Sequence, residues 1–214
     1  QHPDYGRPAY LRYYRDQPEE LTSEYGELFE VWFDGANGGD GYYGGAREIR
    51  RINRETYYEW EKTHAIVRRN QPDAVMFSDA GPDIRWVGNE KGIAGDPCWA
   101  TIHAALFFPG IDRETFQARL AARGMTGWDS PTDLLNQGDR NGSDWVPAEC
   151  DVSIRPGWFY HAAEDDKVRT PTNLLDLYFK SVGRGASFLL NLPPDRRGRI
   201  HENDVRSLLG FRRL

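Results

Sequence analysis

At 214 residues, of which 39% are apolar and 28% charged, the chain is long enough to bury a sizeable core as one domain. Its net charge of −6 and pI near 5.4 argue against nucleic-acid binding, because phosphates select basic surfaces. No run approaches the roughly 18 consecutive apolar residues of a membrane span, so none is expected.

The 7 Trp and 11 Tyr suit sugar binding, where pyranose faces stack on flat rings, and they equally suit a protein interface. Cys98 and Cys150 show neither metal-type pairing nor a disulfide framework. The chain opens at Gln1 without an initiator methionine, in a stretch (1–7) that reads as loop. Its start therefore reads as internal and says nothing about export.

Residues 8–25 read as helix, with Leu11, Tyr14, Leu21 and Tyr25 apolar and Gly26 as a stop. Pro18 is expected to kink that helix or to begin a second short one. Leu28-Phe29-Glu30-Val31-Trp32-Phe33 reads as a buried strand, and Asp34-Gly35 ends it. The run from Ala36 to Gly45 is too glycine-rich to continue a strand or a helix, so Asp34 stands where a buried strand opens into a loop. In parallel β/α folds that strand end is where chemistry is done, although an Asp-Gly after a strand is also an ordinary turn cap.

A second helix is expected over 48–70, with Tyr57, Trp60, His64 and Val67 at helical spacing, which makes His64 a packed residue rather than a ligand. Residues 74–78 read as a second buried strand. From 83 to 111 no periodicity appears, and so long an irregular stretch inside a compact domain is usually functional. A short helix over 113–122 and a polar, turn-rich segment over 124–143 follow. Residues 146–152 read as a third strand, weakened by Pro147, which cannot donate to a ladder. A helix over 172–182, a fourth strand over 187–191 and a last helix over 202–211 complete the chain.

Strands separated by helices argue for a parallel sheet. Each strand has a polar group near its exit: Asp34, Asp79, Glu149 and Asn191. The fold class expected is α/β, as the carboxyl-terminal half of a (β/α)8 TIM-type barrel with parallel strands near 28–33, 74–78, 146–152 and 187–191. A small open α/β sheet is the alternative.

Glycoside hydrolysis needs two carboxyl groups facing one bond, one ionised and one protonated. Asp34, on a rigid strand end beside Trp32, is the nucleophile candidate. Glu90, in Arg85-Trp86-Val87-Gly88-Asn89-Glu90-Lys91-Gly92, is the acid candidate, with Trp86 as an apolar wall and Lys91 expected to point outward. The bland alternative for Glu90 is a solvated loop charge. Glu149 is the rival acid, since a carboxylate inside an apolar strand needs a reason to be there. The five histidines form no metal-type pair, and Asp34, Asn37 and Asp40 have the wrong spacing for a helix-loop-helix calcium loop, so no metal or cofactor is expected. Gly-x-Ser-x-Gly, Walker-type and dinucleotide signatures are absent.

Three motifs carry a resemblance: Glu30-Val31-Trp32-Phe33-Asp34-Gly35-Ala36-Asn37; Gly81-Pro82-Asp83-Ile84-Arg85-Trp86-Val87-Gly88-Asn89-Glu90; and Glu149-Cys150-Asp151-Val152-Ser153-Ile154-Arg155-Pro156-Gly157-Trp158. In this order they resemble the α-L-fucosidases of glycoside hydrolase family 29, most closely the bacterial branch acting on α-1,3/1,4-linked fucose. The resemblance implies a retaining mechanism with Asp34 as nucleophile and Glu90 as acid/base. It also implies that Trp32, Trp86 and Trp158 line the sugar site. Arg85 and Glu149, in the same motifs, are the remaining substrate-binding candidates. The implied partner is a fucosylated oligosaccharide or glycoconjugate; the residues do not fix the compartment, and a periplasmic or secreted location is expected ahead of a cytoplasmic one.

The resemblance also implies two parts that these residues do not contain, an amino-terminal half-barrel with fucose-binding groups and a carboxyl-terminal β-sandwich. Residues 1–214 are thus expected to be a partial barrel that needs its missing half. Two other readings stand beside it: a catalytically silent barrel that binds fucose or another glycan, and a retaining barrel glycosidase for a different sugar. In a retaining enzyme the carboxyls of Asp34 and Glu90 would lie about 5–5.5 Å apart.

Overall fold

The computed structural model describes residues 3–34, 41–42 and 49–214, and the chain divides into two compact units. The first comprises Gln1–Ile84 and Ala104–Pro131, the second Arg85–His103 and Thr132–Leu214. Most of the expected glycine-rich loop, with Asn37 and Asp40, lies outside the described residues.

In the first unit, helix α1 (Pro8–Ser23) starts on a proline, whose fixed φ suits a first helical turn, and runs through Pro18 as one helix. Strand β1 (Glu30–Trp32) pairs in parallel with β4 (Val75–Ser78), setting Glu30 opposite Val75 and Trp32 opposite Phe77. Between them lie two short antiparallel strands, β2 (Gly41–Tyr42) and β3 (Ile49–Arg50), and helix α2 (Trp60–Asn70).

The helix expected over 48–70 therefore begins 12 residues later than its pattern suggests, at Trp60. Asn53 turns the chain instead: its Oδ1 accepts from the amides of Glu55 and Thr56 at 3.0 and 3.2 Å. Glu59, with φ of 45°, then separates that turn from the helix.

His64 is partly buried, tilted against Phe33 and stacked on Trp60. Gln71 ties the ends of three elements together. Its Nε2 donates to the carbonyls of Thr22 and Gly26, while its Oε1 accepts from the Leu28 amide. Helix α3 (Arg113–Ala122) is capped by Asp112, whose Oδ1 accepts from the Thr115 amide at 2.8 Å.

In the second unit β5 (Ile84–Trp86), which starts at the last residue of the first, pairs in parallel with β8 (Ala148–Ser153). Strand β8 pairs in parallel with β9 (Ser187–Asn191). Strands β6 (Thr101–Ile102) and β7 (Asp144–Trp145) form a small antiparallel pair, and helices α4 (Pro131–Gln137), α5 (Pro171–Ser181) and α6 (Glu202–Arg213) complete the unit.

The class is α/β with parallel pairing, but among the described residues the four parallel strands expected become five. Strand β5 is a fifth, inside the stretch expected to be irregular. Three residues are too short to show alternation, and the arginine at its centre hides its buried character. Helix α4 likewise lies in the segment read as turn-rich. The third strand splits around Pro147, whose carbonyl accepts from the Arg85 amide at 3.0 Å.

Candidate active site

Strand β8 is buried along its whole length yet reads Ala-Glu-Cys-Asp-Val-Ser. Side chains alternate along a strand, so Glu149, Asp151 and Ser153 share one face and Ala148, Cys150 and Val152 the other. The apolar face packs on Val87, Ala94 and Ala186. Register then assigns the neighbours: Trp86 is opposite Glu149, and Ser187, Leu189 and Asn191 are opposite Glu149, Asp151 and Ser153. The polar face of this sheet is thus built from three strands.

Contacts follow from that register. The Trp86 indole nitrogen donates to Asp151 Oδ1 at 2.8 Å, and Ser187 Oγ donates to Glu149 Oε2 at 2.8 Å. Burial pushes the Asp151 carboxyl up to about 6; the Trp86 hydrogen bond pulls it down, and the charges of Glu90 and Glu149 add to the rise. Asp151 was not among the sequence candidates. The signal that could have found it is the same as for Glu149, an acidic residue alternating with apolar ones inside a strand.

Glu90 sits on a loop held by its own turn and by neighbouring segments. Gly88 has φ of +81°, and a Cβ there would lie 2.6 Å from the Thr132 carbonyl oxygen. Gly92, with φ of +71°, has space for no side chain either, since a Cβ would meet Val152 at 2.8 Å. Asn89 closes the turn between them, accepting from the Lys91 amide at 3.0 Å and donating to the Ile93 carbonyl at 2.9 Å. Asn136 Nδ2 holds both ends of the loop through the carbonyls of Val87 and Ile93, each at 3.1 Å. The carboxylate projects into solvent, and its Oε2 accepts from the Trp158 indole nitrogen at 3.1 Å. Lys91 is exposed.

Arg85, expected at the sugar, is turned to the opposite face. It neighbours Trp86 in a strand, so the two cannot point the same way. It is fully buried, with Nε 2.9 Å from the Leu135 carbonyl, Nη2 2.8 Å from that of Trp99, and Nη1 on that of Val146. Arg155 plays a comparable part at the exit of β8. Both of its outer faces are paired, with Asp204 of α6 at 2.9 Å through Nε and Nη2 and with Asp165 at 2.9 Å through Nη1.

In the first unit Asp34 follows β1 by two residues and is exposed. Trp32 stacks on Phe77 at 4.2 Å and 6°, the two being register partners, and Phe33 is buried against Val67 and Met76. Asp79, at the exit of β4, accepts from the Gly110 amide at 3.0 Å. Burial raises its carboxyl above the ordinary carboxylate range, and the nearby charge of Asp34 adds to that.

The first unit thus carries Asp34 with Trp32 and Asp79, and the second carries Glu90 with Trp86, Trp158, Glu149 and Asp151. Among the described residues no group of three or more His, Cys, Asp or Glu is placed to hold a metal ion. Among them, too, no helix is long and apolar enough to cross a membrane. In each unit acidic side chains and tryptophans thus lie on parallel strands or on the loops that follow them.

The relatives are more particular. The chain is similar to α-L-fucosidase 1 of Arabidopsis thaliana, with 41% identity over 208 residues, 97% of this chain and 35% of that protein. Among solved structures it is similar to a glycoside hydrolase family 29 member from an unknown rumen bacterium. That structure is 45% identical with a TM-score of 0.80, over 99% of this chain and 34% of the other. A family 29 fucosidase from Ruminococcus gnavus, solved in complex with fucose, shares the fold at 24% identity and a TM-score of 0.68, over 99% of this chain and 41% of that one. No protein-family model matches the chain. The chain spans about a third of the length of the curated relatives it matches.

Proposed function

We propose that the chain is part of the catalytic domain of a retaining α-L-fucosidase of glycoside hydrolase family 29. On this reading it is the carboxyl-terminal half of a (β/α)8 barrel that works together with an amino-terminal half. The observation that carries the proposal is the 41% identity with α-L-fucosidase 1 over nearly the whole chain. The braced loop that presents Glu90 supports it, because an acid catalyst must be delivered to one oxygen atom with little freedom.

Asp34 attacks the anomeric carbon of terminal α-linked L-fucose, displacing the leaving group and forming a covalent fucosyl-enzyme. Glu90 gives its proton to the departing glycosidic oxygen. It then takes one from the water that hydrolyses the ester, so two inversions give net retention. Trp32, Trp86 and Trp158 supply flat faces for the sugar, and Glu149 and Asp151 supply polar groups beneath it. The bacterial α-1,3/1,4 specificity belongs to the same proposal.

The test is turnover of an aryl α-L-fucoside by the complete protein, with the product followed by NMR. The first-formed fucose is expected to be the α-anomer, and Asp34→Ala is expected to abolish turnover without unfolding the protein. A β-anomer, or near-wild-type activity in the variant, rules the mechanism out.

A further inference from the structure

The loop that carries Glu90 is held through its backbone, but a glutamate side chain keeps three rotatable bonds beyond it. An exposed carboxyl with that freedom spends little time in any one orientation, and losing the freedom at the transition state costs rate. A positioned hydrogen bond removes it beforehand. An indole has a single donor, and the one on Trp158 points at Glu90 Oε2 from 3.1 Å.

Trp158 is itself anchored. Its carbonyl accepts from Asn191 Nδ2 at 3.0 Å, and the same Nδ2 lies 3.0 Å from Ser153 Oγ. Ser153 Oγ in turn donates to the Gly157 carbonyl at 2.7 Å. Ser153 and Asn191 are register partners at the exits of β8 and β9, so the chain of contacts begins on paired strands and ends on the carboxylate.

We propose that Trp158 is a positioning residue for Glu90, holding its carboxyl through the indole N–H, and that Asn191 and Ser153 hold Trp158 in place for that purpose. This rests on Glu90 being the acid/base. It adds to the stacking expected of the Trp158 ring a task that only the nitrogen edge can perform. Trp158→Phe keeps a flat apolar ring and deletes the donor, which separates the two.

The experiment compares two substrates in the full-length protein: an aryl fucoside with a good leaving group, which needs little help from an acid, and a fucosyl disaccharide, which needs much. The ratio of kcat/KM on the first to kcat/KM on the second is expected to rise about tenfold in Trp158→Phe, a fraction of the hundredfold or more that general acid catalysis supplies. Asn191→Ala, which frees the loop without touching the ring, should move the same ratio in the same direction, and it carries the test if Trp158→Phe does not fold. An unchanged ratio overturns the proposal, whether both substrates suffer equally or neither does. Glu90→Ala is run alongside. If its ratio rises and that of Trp158→Phe does not, only the positioning role fails; if its ratio is unchanged too, the assignment of Glu90 fails and takes this proposal with it.

Discussion

The Trp86 indole nitrogen lies 2.8 Å from Asp151 Oδ1, joining neighbouring strands across the polar face of their sheet. Asp151 is nearly inaccessible there, at 4% exposure, with the charges of Glu90 and Glu149 near enough to be felt. It is a carboxyl that the fold would rather keep protonated.

That preference has a sign. The folded-state value of about 6 lies above the ordinary 3.8, so the contribution of Asp151 to stability is fully present below about 4 and lost as pH rises through about 6. Asp151→Asn stays neutral throughout and still offers an oxygen to Trp86. The melting temperature of the variant minus that of wild type should therefore climb between about pH 4 and 7 and level off above. Melts across that range check it. A difference that does not change with pH would mean that Asp151 titrates normally.

Arg85→Lys should be costly. A lysine ammonium cannot reach carbonyls of Leu135, Val146 and Trp99 that a guanidinium fork spans together, so buried acceptors are left without donors. The loss should be about 3 kcal/mol or more in chemical denaturation. Normal stability with a raised KM would instead return Arg85 to the sugar site.

Asp204→Ala removes the partner of a guanidinium that is 1% exposed, and α6 loses its tie to the exit of β8. Breaking a buried pair from one side costs about 3–5 kcal/mol, and urea unfolding would show it. Asp165→Ala should cost less, because the Asp165 side chain is 29% exposed. Equal losses would show that the two carboxylates share the charge evenly.

Much of this was legible in the residues. The apolar runs at β4 and β9 and the periodicity of α3, α5 and α6 mark strands and packed helices, and all five lie close to where the pattern puts them. What escaped was decided by partners distant in the chain. Strand β5 is recognisable only once β8 stands beside it, and the face that Arg85 takes depends on that pairing.

The tyrosines show another limit. Tyr5, Tyr10, Tyr14, Tyr57 and Tyr58 suggest a sugar or protein surface by composition, yet they pack together with Ile52 and Trp60 as core in the first unit. Asp151 repeats the alternation of Glu149 two residues on, and its burial is set by the pairing of β8 with β5 and β9. For the site, the motifs singled out Glu90. Why its loop contains two glycines and an asparagine becomes clear only from Thr132, Val152 and Asn136, which crowd or clasp it from other segments.

The most direct test of Asp34 as nucleophile is to trap the covalent intermediate. The full-length protein would be incubated with a 2-deoxy-2-fluoro-fucosyl fluoride, digested, and its peptides sequenced by mass spectrometry. The account predicts one fucosyl adduct, on Asp34, appearing as activity is lost. An adduct on Asp79, Asp151 or Glu149, or inactivation with no adduct at all, would contradict it.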